Sequence, residues 1–365
     1  MKKRDEAVDI VKGFAILAIV FYHIAFTPFN DSVRALTGGF WKVPIFFLIA
    51  GFFLKNEKVT NPIKFIFGLK KLYLKTTIIY LISILLHNLF VRINWYPEGT
   101  TQAVTGIEYY LYDFSEIFIR CLKTVFCAGH GETIMGAMWF AYVLIMALVG
   151  YSIVSYMVNL FFDESSDSYN IVRLIVLLLA AGVSYVATHI YGFTIPRVNN
   201  TLTAMCLIGF GRITFLYGSK YFNNYWVILL SFVLMLDCIF RTGCTRLNQN
   251  EYLDLPTLII GTISSYFVLQ FIGRKIVNTY IGNLISLCGR NSYYIMAYHI
   301  LGFMICSEVL KMLNIFNNTS PRGMYTFLVE NNILYISLYF IFGVGVSLLL
   351  LQCGKIIKRV WNKIC

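Results

Sequence analysis

The stretch VDIVKGFAILAIVFYH (residues 8–23) combines a long apolar run with three ionisable side chains, Asp9, Lys12 and His23. An ionisable residue inside a membrane-spanning helix is energetically costly, so it marks a functional site by default. Asp9 and Lys12 are helical i, i+3 neighbours. Lys12 and His23 are eleven residues apart, which puts them within roughly 20° on one helix face and about 16 Å apart along the axis. The stretch predicts a first membrane helix with an ion pair near one surface and an imidazole deeper in the bilayer.

The composition of the whole chain indicates a membrane protein. Of its 365 residues, 58% are apolar and only 13% are charged, and the mean hydropathy is +0.69. Soluble domains are about 45–50% apolar and about 25% charged. The composition therefore excludes a soluble globular enzyme and an intrinsically disordered chain. Because a spanning helix uses roughly 20 residues, we expect an all-α fold with about ten transmembrane helices in one domain, residues 1–365.

The apolar runs predict where these ten spans lie. They fall near residues 8–27, 38–54, 76–93, 138–162, 171–192, 200–218, 224–240, 257–272, 283–313 and 333–353. The second and eighth are short for a bilayer, which favours tilted or partly re-entrant segments. The N-terminus resembles a signal peptide, but Lys12 and His23 interrupt its apolar run and no small-residue cleavage site follows. We therefore expect a retained first span.

The positive charges indicate the orientation of the chain. The formal net charge is +12, and the Lys and Arg residues sit mainly in short stretches beside apolar runs. In a ten-span topology the basic N-terminal tail, the Lys-rich loop after the second span and the basic C-terminal tail all fall on one side. The positive-inside rule makes that side cytoplasmic, so we expect both termini in the cytoplasm. The same distribution argues against nucleic acid as a partner.

The ninth predicted span contains a second group of polar side chains, in the run CGRNSYYIMAYHILGF (288–303). These are Arg290, Asn291, Ser292 and His299. At about 1.5 Å per residue, His299 lies roughly as deep along its span as His23 does along its own. Both spans run in the same direction in this topology. The two histidines are therefore expected to line one cavity.

Each of these residues also has a purely structural interpretation. Lys12 can extend to the membrane interface, and His23 can be a core histidine bonded to a neighbouring carbonyl. Arg290 can pair with Asp9 or with another acid. Asn291 and Ser292 can form interhelical hydrogen bonds.

Several other features are weaker indicators of function. His87 and His189 also lie in predicted spans, but neither belongs to a group of candidate residues, so a structural role is favoured. Trp139 opens the fourth span, where an interfacial anchor is favoured over a substrate contact. The Gly-rich segment 127–132 either faces a substrate or forms a flexible loop.

The nine cysteines predict no metal centre, because they form no CxxC pair and no His/Cys cluster with zinc spacing. Cys121 with Cys127, and Cys238 with Cys244, are the pairs that an oxidising compartment could turn into disulfides. Signatures of ATP hydrolysis, metalloproteases and Rossmann domains are absent from the sequence.

The polar and aromatic motifs together resemble the membrane-bound acyltransferase 3 family, and most closely its branch of fucose 4-O-acetylase-like sugar acetyltransferases. That family tends to have an Asp, a basic residue and a Gly, then a His eleven residues after the basic one; here these are Asp9, Lys12, Gly13 and His23. The runs VPIFFLIAGFFL (43–54), MWFAYVLI (138–145) and LCGRNSYYIMAYHI (287–300) resemble later family segments in the expected order. The chain departs from the pattern with Lys12 in place of Arg, Ala50 in place of Ser, and a Lys-rich stretch, Lys70, Lys71 and Lys75, in place of paired Arg.

The resemblance implies transfer of an acyl group, usually acetyl, from cytoplasmic acyl-CoA to a sugar hydroxyl on a cell-surface or lipid-linked glycan, in a multi-pass protein of the bacterial plasma membrane. His23 would act as general base or transient acyl carrier, Asp9 would hold Lys12, and His299 would bind the acceptor or orient His23. The donor, acetyl-CoA, would be bound by Lys12, Lys70, Lys71 and Arg290. The acceptor would contact Trp139, Asn291 and Ser292.

Three alternatives use the same intramembrane charges or the same topology. A glycolipid transporter or flippase would move its substrate without consuming acyl-CoA. A glycan polymerase or ligase usually concentrates its function in a large outer loop, whereas the loop at 94–137 is only moderate in length. A membrane sensor or partner protein would carry degenerate catalytic residues.

Overall fold

The computed structural model describes residues 5–24, 39–99, 108–126, 132–195, 197–242, 245–314 and 333–364. Within these ranges most residues are helical, and an isolated β-bridge joins Arg246 and Glu251. The helices, in chain order, are α1 Glu6–Ile24, α2 Val43–Phe52, α3 Asn56–Val59, α4 Pro62–Arg92, α5 Phe114–Val125, α6 Trp139–Asn159, α7 Asp167–His189, α8 Val198–Ile213, α9 Tyr225–Thr242, α10 Leu255–Ile276, α11 Tyr280–Arg290, α12 Ser292–Met312 and α13 Ile333–Ile364. The predicted all-α fold is confirmed.

Nine helical segments in the described ranges are long and apolar enough to cross a membrane. They comprise α1, α4, α7, α9, α10, α12, the first 24 residues of α13, α6 together with the 3₁₀ turn Thr133–Met138, and α8 together with the turns up to Tyr221. A spanning helix needs about 20 apolar residues, so this set identifies a multi-pass membrane protein.

The predicted span boundaries need four corrections. The second span reduces to the 10-residue helix α2, which begins next to Pro44. The eighth span, predicted to be short, is the 22-residue helix α10. The third extends back to Pro62, so the Lys-rich stretch predicted as a loop belongs to α4. The segment 94–137, predicted as a loop, contains the amphipathic helix α5 and a 3₁₀ turn.

The predicted ninth span, 283–313, is two helices rather than one. The chain leaves helical geometry at Asn291, whose φ is −108° and ψ is 15°, and α12 begins at the next residue. The Asn291 side chain donates a hydrogen bond to the carbonyl oxygen of Leu287 (2.8 Å). Asn side chains compete in this way with the backbone bonds of a helix, so the interruption follows from the residue type.

The chain divides into two compact units. The first comprises Met1–Ala15, Ser32–Thr76 and Trp139–Ser286, and the second comprises Ile16–Asp31, Thr77–Met138 and Leu287–Cys365. Helix α1 contributes its first part to one unit and its second part to the other. Asp9 and Lys12 therefore belong to the first unit, and His23 belongs to the second.

In the first unit, α2 packs directly against α8 through small residues. A Cβ atom at Gly51 would collide with the carbonyl oxygen of Ile208, and a Cβ atom at Gly211 would collide with that of Leu48. Only glycine allows the two backbones to approach this closely. The buried core around this contact includes Phe47, Leu207 and Tyr266, and it supports one wall of the cavity described below.

In the second unit, α12 packs against α13. Gly302 allows the approach, because a Cβ atom there would press on the backbone at Phe342. Ser307 on α12 and Tyr339 on α13 share a buried hydrogen bond of 2.9 Å. This packing fixes α12, the helix that carries His299.

Candidate functional site

Two histidines meet in the second unit. His23 Nδ1 lies 2.8 Å from His299 Nε2. His23 comes from the last turn of α1, and His299 comes from the second turn of α12. His299 has no solvent-exposed surface, whereas His23 is partly exposed. The apolar neighbours of the pair include Phe303, whose ring meets the imidazole of His299 edge-on.

Backbone contacts fix the proton positions in this pair. His299 Nδ1 lies 2.8 Å from the carbonyl oxygen of Ile295 and 3.1 Å from that of Met296. A carbonyl oxygen only accepts hydrogen bonds, so His299 Nδ1 carries the proton and its Nε2 is the acceptor when the ring is neutral. His23 Nδ1 must then donate to His299. The neutral His23 ring therefore has its basic lone pair on Nε2, the nitrogen that faces away from His299.

The first unit contains the second predicted group. Asp9 and Lys12 form a salt bridge of 2.7 Å. The Asp9 side chain is almost fully buried, and about 20% of the Lys12 side chain is exposed. A buried carboxylate requires such a partner. The predicted i, i+3 contact is present, and it holds the Lys12 ammonium in place.

Asp9 and Lys12 line a cavity of about 1000 Å³. Its charged lining residues all belong to the first unit: the cations are Lys12, Lys55, Arg212 and Arg274, and the acids are Asp5, Asp9, Glu57 and Glu164. Aromatic side chains, among them Phe52 and Tyr266, form part of the wall. The cavity is thus suited to a large ligand with both anionic and apolar parts.

Arg212 is the most conspicuous cation of this cavity. Its Nε atom is buried and has no hydrogen-bond partner in the described part of the chain, and the same holds for the hydroxyl of Tyr266. The two side chains therefore present unused donors at the cavity, where a ligand or water would satisfy them. Sequence analysis overlooked Arg212, although it lies in the predicted span 200–218 and the rule on intramembrane charges applies to it.

The structure does not bring the other predicted donor-binding residues to this cavity. Lys70 and Lys71 are exposed on α4, and Arg290 is the exposed last residue of α11. None of the three is among the residues that line it. Charge at a membrane surface is common, so a basic stretch by itself does not locate a binding site.

The predicted acceptor-binding residues belong to different units. Trp139 begins α6 in the first unit and packs against that unit's apolar core. Asn291 and Ser292 lie at the start of α12 in the second unit, where the Asn291 side chain bonds within its own turn. Of the possible disulfide pairs, Cys121 and Cys238 have free thiols, while Cys127 and Cys244 lie outside the described residues. No group of ligands that could hold a metal ion occurs among the described residues.

A further buried pair in the second unit joins a histidine to a glutamate. The histidine is His87, for which the sequence analysis favoured a structural role. His87 Nδ1 lies 2.8 Å from Glu132 Oε2, and both side chains are about 1% exposed. His87 Nε2 lies 3.0 Å from the carbonyl oxygen of Tyr110, and the imidazole stacks on the ring of Tyr112. Three chain segments are joined at this cluster.

A comparison with known families identifies the class of protein. The family model described as an acyltransferase domain, that of the acyltransferase 3 family, matches residues 5–352. No curated protein and no solved structure matches the chain. Because the match covers nearly the whole chain and the helices are those of a multi-pass membrane protein, the chain belongs to the acyltransferase 3 family and is a membrane acyltransferase.

Proposed function

We propose that the chain is an O-acyltransferase, most simply an O-acetyltransferase. It would move an acyl group from cytoplasmic acyl-CoA to a hydroxyl of a cell-surface or lipid-linked glycan, as in the fucose 4-O-acetylase-like branch. The observation that carries this proposal is the contact between His23 and His299, because it leaves a basic nitrogen on a positioned imidazole in a chain of an acyltransferase family.

The cavity of the first unit is the proposed binding site of the donor. Coenzyme A carries several phosphate groups, and the cavity offers four cations. Four acids also line it, so the attraction depends on which cations are already paired. Among the described residues, Lys12 is paired with Asp9, whereas Lys55, Arg212 and Arg274 form no salt bridge. We assign the strongest phosphate contact to Arg212, because a guanidinium binds phosphate through two parallel hydrogen bonds.

Helix α1 supports a connection between donor and base. It carries Lys12, which lines the cavity, and, eleven residues later in the sequence, His23 of the histidine pair. The thioester of the bound donor is, on this proposal, delivered to His23. On this proposal both termini lie in the cytoplasm, where acyl-CoA is found.

The proposed reaction uses His23 as a general base. Its Nε2 takes the proton of the acceptor hydroxyl while that oxygen attacks the thioester carbonyl. The carbon–sulfur bond then breaks, and the thiolate of coenzyme A leaves with the proton from His23. An ester and free coenzyme A are formed, and the histidine regains its starting state. His299 does not touch the reacting atoms; it holds the tautomer and the orientation of His23.

The proposal is tested by mass spectrometry of surface glycans from cells with and without the protein. We expect a mass increase of one acetyl unit that requires His23. His23→Ala should lower acetyl transfer from labelled acetyl-CoA in membranes by about 10²–10⁴-fold, the usual contribution of a general base. His189→Ala is the matched control, because His189 is an exposed histidine at the end of α7. Near-normal transfer by His23→Ala would refute the mechanism, and an unchanged glycan mass would refute the activity.

The donor site has its own test. Arg212→Gln should raise the KM for acetyl-CoA at least tenfold, because a charged hydrogen bond contributes about 1.5–3 kcal/mol. The control is Arg241→Gln, since Arg241 is exposed on α9 and pairs with Asp237 at 3.2 Å. An unchanged KM in Arg212→Gln, measured in membranes with equal amounts of folded protein, would remove Arg212 from the donor site.

A further inference from the structure

The second unit contains a cavity of its own, of about 660 Å³. It lies against α4, α12, α13 and the 3₁₀ turn Thr133–Met138. Its walls are mainly hydrocarbon side chains, including Ile82, Leu86, Phe90, Leu301, Leu350 and Leu351. Nothing in the proposed reaction uses this cavity.

The cavity is elongated. Its residues on α4 run from Ile79 to Phe90 along one helix face, which corresponds to about 16 Å along the axis. A space of this length with mainly hydrocarbon walls fits an extended hydrocarbon chain. A sugar or a nucleotide would leave its polar groups without partners there, and each such group is costly.

One end of the cavity carries a positive charge. Lys355, the last lining residue of α13, is the only charged side chain among the described lining residues. It forms no salt bridge with any residue that the structure describes. An exposed cation at the end of a spanning helix attracts an anionic head group. The charge and the hydrocarbon walls therefore select the same kind of ligand, an amphiphile with a long hydrocarbon chain and an anionic head.

The two cavities differ in the chemistry that they offer. The first-unit cavity has four cations and four acids in its lining, whereas the second-unit cavity has one cation and hydrocarbon walls. We propose that the second-unit cavity binds an anionic membrane lipid, with a hydrocarbon chain along α4 and the lipid phosphate at Lys355. Because Tyr298 and Leu301 line the cavity on either side of His299 in the sequence, the bound lipid lies along the helix that carries His299. Binding requires no turnover, so the proposal is independent of acyl transfer.

The protein offers a matched pair of substitutions that tests whether the cavity binds the hydrocarbon chain of the lipid. Gly354 lines the cavity, and a Cβ atom there would meet nothing within 4 Å. Gly345, also on α13, has the same open surroundings but does not line the cavity. Gly354→Leu therefore adds bulk to the cavity without an initial clash, and Gly345→Leu adds the same bulk elsewhere on the helix.

A second pair of substitutions tests whether the cavity binds the anionic head group of the lipid. Lys355→Gln removes the cation at the end of the cavity, and Arg359→Gln removes an exposed cation one turn further along α13 that does not line it. If the basic tail attracts anionic lipids only in general, the two variants will behave alike. If Lys355 binds the phosphate, only Lys355→Gln will lose the preference for an anionic head group.

The measurement is native mass spectrometry of the full-length protein in detergent, titrated with dioleoyl phosphatidylglycerol and, separately, with dioleoyl phosphatidylcholine. We expect preferential binding of phosphatidylglycerol, at least fivefold weaker binding of both lipids by Gly354→Leu, and loss of the preference in Lys355→Gln. Inorganic phosphate in millimolar excess should not displace the lipid. Displacement by phosphate alone, or equal binding by each variant and its control, would overturn the proposal. Thermal unfolding confirms that all four variants are folded.

Discussion

The second unit contains two pairs of contacting side chains, one of two histidines and one of a histidine and a glutamate. The two pairs have the same contact distance but can do different chemistry. His23 and His299 are 2.8 Å apart, and His87 and Glu132 are also 2.8 Å apart. Both pairs join helices or turns that are distant in the sequence. Judged by distance and burial alone, either pair would qualify as catalytic.

The difference lies in the partners of each ring nitrogen. Both nitrogens of His87 face oxygen atoms, one of a carboxylate and one of a carbonyl group. Whether the pair is ionic or has its proton on Glu132, neither nitrogen retains a lone pair for a substrate. In the other pair, the carbonyl oxygens of Ile295 and Met296 fix the proton on His299, so the basic nitrogen of the neutral His23 ring is Nε2. The comparison teaches that the inventory of donors and acceptors, more than proximity, distinguishes a base from a structural histidine.

The largest expected effect is a loss of stability when the pair of His87 and Glu132 is broken. His87→Ala leaves the buried Glu132 carboxylate without its partner, which should lower the free energy of unfolding by about 3–5 kcal/mol. Thermal and denaturant unfolding in detergent measure it. The double variant His87→Leu, Glu132→Leu should recover part of the loss, because it removes both polar partners. A single variant as stable as the wild type would show that the pair is not a structural contact.

An intermediate effect concerns the positioning of the base. His299→Ala should lower kcat for acetyl transfer by about 10–100-fold, since His23 loses the acceptor that fixes its tautomer, while the KM for acetyl-CoA stays the same. His299→Gln should restore part of the activity, because its side-chain oxygen can accept the proton of His23 Nδ1.

Additivity provides the control for this second prediction. The double variant His23→Ala, His299→Ala should be no less active than His23→Ala alone, as expected for residues that act as a unit. Full additivity of the two losses would mean that His299 acts separately from His23.

The smallest expected effect tests how far the His87 cluster depends on hydrogen bonds. Burial, followed by the nearby Glu132 carboxylate, raises the pKa of Tyr112 above its ordinary value, so the phenol stays neutral at physiological pH. Its hydroxyl is buried and has no hydrogen-bond partner in the described ranges. Tyr112→Phe keeps the ring that stacks on His87 and should change the unfolding free energy by less than about 0.5 kcal/mol, measured by denaturant unfolding. A loss of several times that size would reveal a hydrogen bond made through water.

Much of the fold was predictable, because the hydropathy of a segment indicates whether it lies in lipid or in water. Apolar runs located the long helices, and the spacing of Asp9 and Lys12 predicted their salt bridge. The interruption at Asn291 was missed, since a polar residue in an apolar run is compatible with either a continuous or a broken helix. The shortness of α2 was predicted, whereas that of α10 was not confirmed.

The candidate site was predictable only in part. His23 and His299 were placed at similar depths, which is a property of each helix alone, and the structure adds their contact. Lys70, Lys71 and Arg290 were chosen for their charge, but none of them lines the cavity of the first unit. Arg212 lies there instead, because the packing of α8 against α2 brings its last turn to the cavity wall.

Composition and hydropathy alone indicated a helical membrane protein, and short motifs gave the resemblance to the acyltransferase 3 family, because these are local properties that no partner segment can alter. The tertiary structure decided which polar groups meet. Contacts such as His23 with His299, 276 residues apart, depend on how helices pack, and small residues such as Gly51, Gly211 and Gly302 set that packing through backbone contacts that no motif records. The proton on His299, and with it the basic nitrogen of His23, follows from backbone carbonyls that only the folded helix positions.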